Sequence, residues 1–289
     1  MVRLIEVSRA IRESVPPELA PVFWAVTLFG SAEFILVVLS FAYWNVASRR
    51  EEILRVVAMG FVALSVTLAL KYWFAAPRPP AAVQNYPVTP DGFGFPSGHA
   101  VAATIVYGGA LVVTDRLREP RVAVPVAGAV LLIGTSRVIL GVHYLGDVLA
   151  GFVVGLVVLA GLALRPGADA RRLFAAGAVL SVAGAVLSVA GLATSGLDPD
   201  ALLAAGGSVG GVLATYVSGG LDSFRSRRGR AVFNALGLAV VGLALLVGAV
   251  LGSAPVAATL ANVVLVFTVV ALPALVGRSG VLARIDPVP

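Results

Sequence analysis

The chain carries three short polar segments: KYWFAAPRP at residues 71–79, PSGH at 96–99 and SRVILGVHYLGD at 136–147. They contain the only lysine in the sequence, Lys71, and both of its histidines, His99 and His143. Each segment lies at the end of a long apolar run and not inside one. In a membrane protein, polar side chains at such positions can form a site that faces water. The apolar runs therefore decide the fold, and the polar segments are the candidates for function.

The composition is typical of a helical membrane protein. Hydrophobic residues make up 59% of the 289 residues and charged residues 12%, whereas a soluble domain has about 25% charged residues. The apolar runs are continuous and do not alternate with polar residues, which favours helices over a transmembrane barrel. We therefore predict an all-α fold, a polytopic bundle of transmembrane helices.

Nine apolar runs are candidates for transmembrane helices. They cover roughly residues 22–46, 53–74, 97–114, 123–141, 144–164, 173–194, 201–218, 231–252 and 255–276. The seventh run is rich in glycine, which indicates a tightly packed or a broken helix. Residues 1–20 precede these runs and place apolar residues on one helical face, so they predict either an amphipathic helix on the bilayer or a solvated tail.

Basic residues occupy every second connection between the runs. They are Arg49, Arg50, Arg55, Arg116, Arg118, Arg121, Arg165, Arg171, Arg172, Arg225, Arg227, Arg228, Arg230, Arg278 and Arg284. Basic loops remain in the cytoplasm, so the three polar segments are predicted to face the extracytoplasmic side of the cell membrane. Scattered loop arginines do not form a nucleic-acid surface. The absence of cysteine excludes disulfide and thiol chemistry.

Five residues of the polar segments have the chemistry of an anion site. Lys71, Arg78 and Arg137 supply three cations, and arginine matches phosphate oxygens with two donors at once. Ser97 offers a hydroxyl group and Gly98 a backbone N–H at the expected start of a helix, where anions bind. These residue types predict a pocket for phosphate or another oxyanion.

Two histidines and a carboxylate complete the polar set. His143 and Asp147 are four residues apart, so they share one face of a helix. A carboxylate bonded to one imidazole nitrogen fixes the tautomer and leaves the other nitrogen free to attack. His99 could then protonate the leaving oxygen, and the cations would stabilise the transition state. The set predicts phosphoryl transfer through a phosphohistidine.

Other interpretations of these residues are open. Basic residues at helix ends often extend to the lipid headgroups, and an interfacial histidine often only forms a hydrogen bond. The two histidines and the aspartate could bind a metal, but three neighbouring cations would repel it. We therefore expect no metal and no other cofactor. An ion pathway is disfavoured because the polar groups lie at the ends of the apolar runs.

The pattern K-x6-R-P, P-S-G-H and S-R-x5-H-x3-D resembles the type 2 phosphatidic acid phosphatase superfamily, the lipid phosphate phosphatases. The matching residues are Lys71, Arg78, Pro79, Pro96, Ser97, Gly98, His99, Ser136, Arg137, His143 and Asp147. The three motifs occur in the family's order and spacing, and the resemblance covers about residues 22–165. Members of the family usually have three spans before the end of the first motif, and this chain has two.

The resemblance implies a role for each polar residue. It makes His143 the nucleophile, Asp147 the residue that orients it and His99 the acid for the leaving group. It implies that phosphate is bound by Lys71, Arg78, Ser97, Gly98 and Arg137, without a metal. Membrane members of the family remove phosphate from lipid phosphates or diphosphates, so the expected substrate is a phosphatidate-like lipid or a polyprenyl diphosphate.

We divide the chain into three parts. They are an amphipathic N-terminal segment (1–20), a phosphatase core with the three motifs (21–165) and a C-terminal transmembrane extension (166–289). The extension carries no catalytic residue that we can identify, and it could form a homodimer, hold lipid or move lipid across the membrane. Two further functions stay open: a lipid phosphotransferase with the same intermediate, and a lipid transporter or flippase that retains a phosphate site.

Overall fold

The computed structural model describes residues 3–85, 92–163, 168–187, 199–217, 226–250 and 254–278. Within these ranges the chain forms helices and no strand, which confirms the predicted all-α fold. The helices are α1 (Ile5–Glu13), α2 (Ala20–Leu28), α3 (Ala32–Asn45), α4 (Arg50–Phe74), α5 (Gly98–Val113), α6 (Pro120–Ile139), α7 (Leu145–Ala163), α8 (Ala170–Leu187), α9 (Pro199–Thr215), α10 (Arg227–Val250) and α11 (Pro255–Arg278). Short 3₁₀ turns cover Pro17–Leu19, Ala47–Arg49 and Ala81–Val83.

Each predicted apolar run coincides with one helix, except that the first contains both α2 and α3. In the described part of the chain, three helical segments are long and apolar enough to cross a bilayer: Ala47–Phe74, Pro120–Ile139 and Pro255–Arg278. The bent pair α2 and α3 makes a fourth if it counts as one span, and α5, α7 and α9 contain shorter apolar helices. The chain is a multi-pass membrane protein. The run ends at 164, 188–194, 218 and 251–252 lie outside the described residues.

The N-terminal helix α1 packs on the rest of the protein. Nine residues span only about 14 Å, too short to cross a bilayer. The hydroxyl of Ser8 accepts a hydrogen bond from the backbone N–H of Leu145, at the start of α7. Ile11 packs against a buried cluster that includes Val138 and Val148. The amphipathic segment therefore lies across the ends of α6 and α7, beside the polar segments.

The first apolar run is broken between α2 and α3. The two halves meet at an angle of 47°, and Ser31 starts α3 by accepting a hydrogen bond from the N–H of Phe34. The carbonyl of Phe29, left free at the break, accepts a hydrogen bond from the hydroxyl of Tyr107 in α5. Because the freed backbone groups find partners in this way, a break within an apolar run is tolerated.

The C-terminal helices share one hydrophobic core with α3 and α4. Helix α8 packs along α4, and α9 packs between α8 and α11. Pro273 has no N–H for the carbonyl of Val269 four residues earlier, and the indole N–H of Trp44 donates to that carbonyl at 2.9 Å. A Cβ on Gly206 would collide with the backbone oxygen of Thr259 in α11, so the glycines of α9 mark a packed helix. The homodimer suggested for this extension stays a prediction.

Candidate active site

Four consecutive helices bring the three polar segments to one end of the bundle. Lys71 lies in the last turn of α4, and α5 begins directly after Ser97. Arg137 lies in the last turn of α6, and Asp147 lies in the first turn of α7. Helix α5 packs against α4, α6 and α7. Because these neighbouring helices alternate in direction, segments far apart in sequence meet at the same end.

His143 is held in the short loop between α6 and α7. The backbone N–H groups of Val142 and His143 both donate to the carbonyl of Arg137, at 3.1 and 3.3 Å. The turn passes through Gly141, whose φ is +71°. A Cβ on this glycine would lie 2.5 Å from the carbonyl oxygen of Val83. The loop can fold back over the end of α6 only with glycine at this position.

The two ring nitrogens of His143 face different partners. Nε2 lies 3.0 Å from Nη1 of Arg78, and Nδ1 lies 3.6 Å from Oδ2 of Asp147. A guanidinium group only donates hydrogen bonds, so Nε2 must carry the lone pair. The ring proton of the neutral imidazole is then on Nδ1, on the side of Asp147. This tautomer leaves Nε2 as the ring nitrogen that carries the lone pair.

The surroundings of His143 favour its neutral form. Only 2% of the residue is exposed, and this burial lowers the pKa of the imidazole to about 3. The positive charges of Arg78 and Arg137 lower this pKa further, while Asp147 opposes the shift. At neutral pH the ring is therefore uncharged, which is the form that can attack phosphorus.

Asp147 is completely buried and joins the second and third motifs. Its Oδ2 accepts a hydrogen bond of 2.9 Å from the N–H of Tyr144. Its backbone carbonyl accepts a hydrogen bond from the N–H of Ser97, also at 2.9 Å. The two oxygens of its carboxylate bind Nε and Nη2 of Arg3, each at 2.9 Å. The carboxylate is thus fixed by Arg3 and by the N–H of Tyr144, while the backbone of Asp147 is tied to Ser97.

Three buried polar atoms of the cluster lack a hydrogen-bond partner within the described residues: Oγ of Ser97, Nε of Arg137 and Nδ1 of His143. Ser97 is the N-cap of α5, where the first N–H groups have no partner within the helix. Arg137 also donates from Nη1 to Oγ1 of Thr27 at 2.8 Å, so its orientation is set. Buried donors are normally satisfied. A phosphate oxygen would satisfy the atoms of Ser97 and Arg137, whereas Nδ1 of His143 faces Asp147.

His99 lies in the first turn of α5, within electrostatic range of the other groups. The charges of Lys71, Arg78 and Arg137 all act on it. Gly30, in the break between α2 and α3, packs closely against the side chain of His99. A Cβ added at Gly30 would lie 3.1 Å from Cδ2 of His99. The break between α2 and α3 therefore limits the space available to the imidazole ring.

The structure brings together the whole set of predicted site residues: Lys71, Arg78, Ser97, Gly98, His99, Arg137, His143 and Asp147. Within the described ranges no group of three or more histidine, cysteine, aspartate or glutamate residues could hold a metal ion. The cluster combines fixed cations, unsatisfied donors and an uncharged imidazole, which is suited to binding a phosphate group and attacking it.

Sequence reasoning missed three residues that touch this cluster: Arg3, Thr27 and Gly30. All three precede the first motif. The helical period of residues 1–20 indicated an amphipathic helix, but nothing in it pointed to a partner for Arg3. Thr27 and Gly30 lie inside an apolar run, where a threonine or glycine is ordinary. No local signal could have identified them.

Comparison with known proteins gives three matches. The family model for the PAP2 superfamily matches residues 52–169. Phosphatidylglycerophosphatase B of Bacillus subtilis (strain 168) is 31% identical over 150 residues, which cover 49% of this chain and 72% of that protein. A crystal structure described as the first transmembrane PAP2 type phosphatidylglycerolphosphate phosphatase from Bacillus subtilis is 30% identical. The match covers 55% of this chain and 81% of the chain in that crystal structure, with a TM-score of 0.45.

Proposed function

The chain belongs to the PAP2 superfamily, and we propose that it is an integral-membrane phosphatase that hydrolyses a lipid phosphate or diphosphate through a phosphohistidine. The observation that carries the proposal is the environment of His143. Its Nε2 lies 3.0 Å from Arg78, while Ser97 and Arg137 offer buried polar atoms without partners in the described residues. A phosphoryl group bound to these three residues would lie next to the nucleophilic nitrogen.

In the first step, Nε2 of His143 attacks phosphorus. The P–N bond forms while the bond from phosphorus to the lipid oxygen breaks, and His99 gives its proton to the departing oxygen. The positive charge that develops on the imidazole is stabilised by Asp147 on the Nδ1 side. Lys71, Arg78 and Arg137, with Ser97 and the N–H of Gly98, hold the phosphoryl oxygens.

In the second step, water attacks the phosphohistidine. His99, now without its proton, accepts a proton from that water, and the P–N bond breaks to release inorganic phosphate. Both steps use the same two histidines, so His143 and His99 return to their starting protonation states. No metal and no other cofactor takes part in either step.

The surroundings of the site favour a lipid substrate. Trp73 and Phe74 end α4 only a few residues before Arg78, and 69% and 43% of them are exposed. Large exposed aromatic residues at a helix end are typical of the boundary between lipid and water. The name of the relative from Bacillus subtilis places phosphatidylglycerophosphate among the substrates to test.

The site is proposed to face the extracytoplasmic side of the cell membrane. Helices α8 and α10 carry Arg171, Arg172, Arg227 and Arg228 at their starts, and α11 ends at Arg278. The guanidinium of Arg171 lies 5.5 Å from the ring of Tyr216, just after the end of α9. These helix ends lie opposite the site when the helices alternate in direction, and basic ends remain in the cytoplasm.

The decisive experiment measures phosphate release by the purified protein in detergent, with EDTA present. The substrates are phosphatidic acid, phosphatidylglycerophosphate, lysophosphatidic acid and a polyprenyl diphosphate. The variant His143→Ala is compared with wild type and with Arg116→Ala, an exposed arginine in the loop after α5. We expect release by wild type and by Arg116→Ala, and a loss of at least about 10³-fold in His143→Ala.

A second readout detects the intermediate. Substrate labelled in the phosphate is mixed with enzyme and quenched in alkali, where a P–N bond is stable. Label on wild type but not on His143→Ala supports the phosphohistidine. Turnover by His143→Ala at the wild-type rate would refute it. Transfer of the label to an added lipid alcohol in preference to water would make the protein a phosphotransferase.

Orientation can be tested with single cysteines, because the sequence has none of its own. Gln84→Cys places a thiol on the loop beside the site, and Arg118→Cys places one at the opposite helix ends. A membrane-impermeant thiol reagent added to intact cells should label only Gln84→Cys. The reverse pattern would place the site in the cytoplasm.

A further inference from the structure

We propose that Arg3 is a positioning residue for the reaction, which holds the carboxylate of Asp147 ionised and aligned behind His143. The inference rests on the proposed function, because it assigns Arg3 a role in the same histidine chemistry. Arg3 lies outside residues 52–169, which match the family model. It also lies outside the three motifs from which the roles of the other site residues were expected.

The contact between Arg3 and Asp147 has the geometry of a bidentate ion pair. Nε of Arg3 donates to Oδ1 and Nη2 donates to Oδ2, both at 2.9 Å. Two parallel bonds of this kind are stronger than a single hydrogen bond and fix the plane of the carboxylate. The plane matters because Oδ2 is also the oxygen that lies 3.6 Å from Nδ1 of His143.

Because the carboxylate of Asp147 is buried, it needs a charged partner such as Arg3 to stay ionised. The side chain of Asp147 has no exposed surface, and that of Arg3 is 13% exposed. An ionised carboxylate removed from water is unfavourable unless a charge and hydrogen bonds compensate for it. Among the described residues, the hydrogen bonds to this carboxylate come from Arg3 and the N–H of Tyr144. Arg3 is the charged member.

Arg3 is itself held in place by the site. Its Nη1 donates to the carbonyl of Pro77 at 2.7 Å, and its own carbonyl accepts from the N–H of Gly146. Its guanidinium lies 4.5 Å from the ring centroid of Tyr144. The side chain thus bridges the residue before Arg78 and the carboxylate behind His143, and it fixes the spacing between the first and third motifs.

The role of Arg3 in turnover follows from this bridge. Attack on phosphorus places positive charge on the imidazole, and a carboxylate fixed beside Nδ1 stabilises that charge. Without Arg3, Asp147 would lose its charged partner and its fixed plane, so the transition state would lose stabilisation while phosphate contacts remain. The expected signature is a lower kcat with little change in KM.

The test is a double-mutant cycle on the full-length protein, with wild type, Arg3→Ala, Asp147→Ala and the double variant. We expect Arg3→Ala to lower kcat by about 10–100-fold, with KM within about twofold of wild type. In the Asp147→Ala background the same substitution should cause no further loss. Arg3→Lys, which keeps the charge but not the fork, should recover part of the rate. Arg9→Ala, an exposed arginine of α1, is the matched control and should resemble wild type.

Each result decides the proposal. Arg3→Ala with wild-type kcat would overturn it, and so would an equal loss from Arg3→Ala in both backgrounds, since that shows a general effect on the fold. Thermal unfolding in detergent is measured for every variant. If Arg3→Ala does not fold, kcat and KM are measured for Arg3→Gln in its place. Failure of Ala, Gln and Lys variants to fold would assign Arg3 to stability alone. Full activity of His143→Ala would refute the histidine mechanism, independently of the result at Arg3.

Discussion

Nη1 of Arg78 lies 3.0 Å from Nε2 of His143, and this contact leaves the lone pair of the neutral imidazole on Nε2. A guanidinium group offers only protons, so Nε2 must present its lone pair toward Arg78. The imidazole is therefore set in the tautomer that the proposed attack requires, with Asp147 on the other side of the ring. Arg78 thus orients the histidine, and in the proposed mechanism it also supplies charge for the phosphate.

The first prediction concerns Arg78→Lys. Lysine keeps the charge but loses the planar fork that reaches His143 and that is proposed to bind a phosphate oxygen as well. We expect kcat/KM to fall by about 10²-fold, measured as phosphate release in detergent. Arg116→Lys, at an exposed position in the loop after α5, serves as the control and should leave the rate unchanged. Wild-type kinetics for Arg78→Lys would show that charge alone is sufficient there.

The second prediction concerns Thr27→Val, which preserves the shape of the side chain but removes the acceptor for Nη1 of Arg137. A bond to a charged group contributes about 1.5–3 kcal/mol, so Arg137 should lose its fixed orientation and KM should rise by about tenfold or more. Thr114→Val is the control, because its hydroxyl bonds only within its own helix in the described contacts. An unchanged KM for Thr27→Val would mean that Arg137 is oriented by other contacts.

The third prediction concerns Gly141→Ala. A residue with a side chain resists the φ of +71° at a cost of about 1–2 kcal/mol, and the added Cβ would also meet Val83 at 2.5 Å. The loop that holds His143 should shift, so both the unfolding temperature and kcat should fall. Gly128→Ala in α6 has no heavy atom within 4 Å of the added Cβ. It should be neutral or slightly stabilising. Equal behaviour of the two variants would contradict the role of Gly141.

The fourth prediction concerns pH. Because burial lowers the pKa of His143 to about 3, the folded protein binds fewer protons than the unfolded chain between pH 6.5 and 3. Stability from this group is complete above pH 6.5 and is lost as the pH falls toward 3, by at most about 1.4 kcal/mol per pH unit. Thermal unfolding of wild type and His143→Gln in detergent at pH 7 and pH 4.5 measures the effect. The wild type should lose more stability on acidification, and an equal loss in both would contradict the shift.

Local patterns in the sequence were sufficient for the helices and the motifs. Continuous apolar runs must become helices in lipid because the backbone has no other partners there. The polar segments at the ends of successive runs were expected on one side, and alternation of helix direction does bring Lys71, Ser97, Arg137 and Asp147 together. The helical fold and the membership of the cluster are thus consequences of sequence periodicity and spacing.

Tertiary structure alone decided how the cluster is held. Three contacts join residues that are far apart in the chain: Arg3 with Asp147, Thr27 with Arg137, and Gly30 with His99. These contacts form only when α1, α2 and the break before α3 pack over the helices that carry the motifs. Nothing in the neighbouring sequence of the short amphipathic helix, of Thr27 or of Gly30 indicates these partners. Helix formation depends on residues within a few turns, whereas these contacts depend on which surfaces remain to be buried once all the helices have packed.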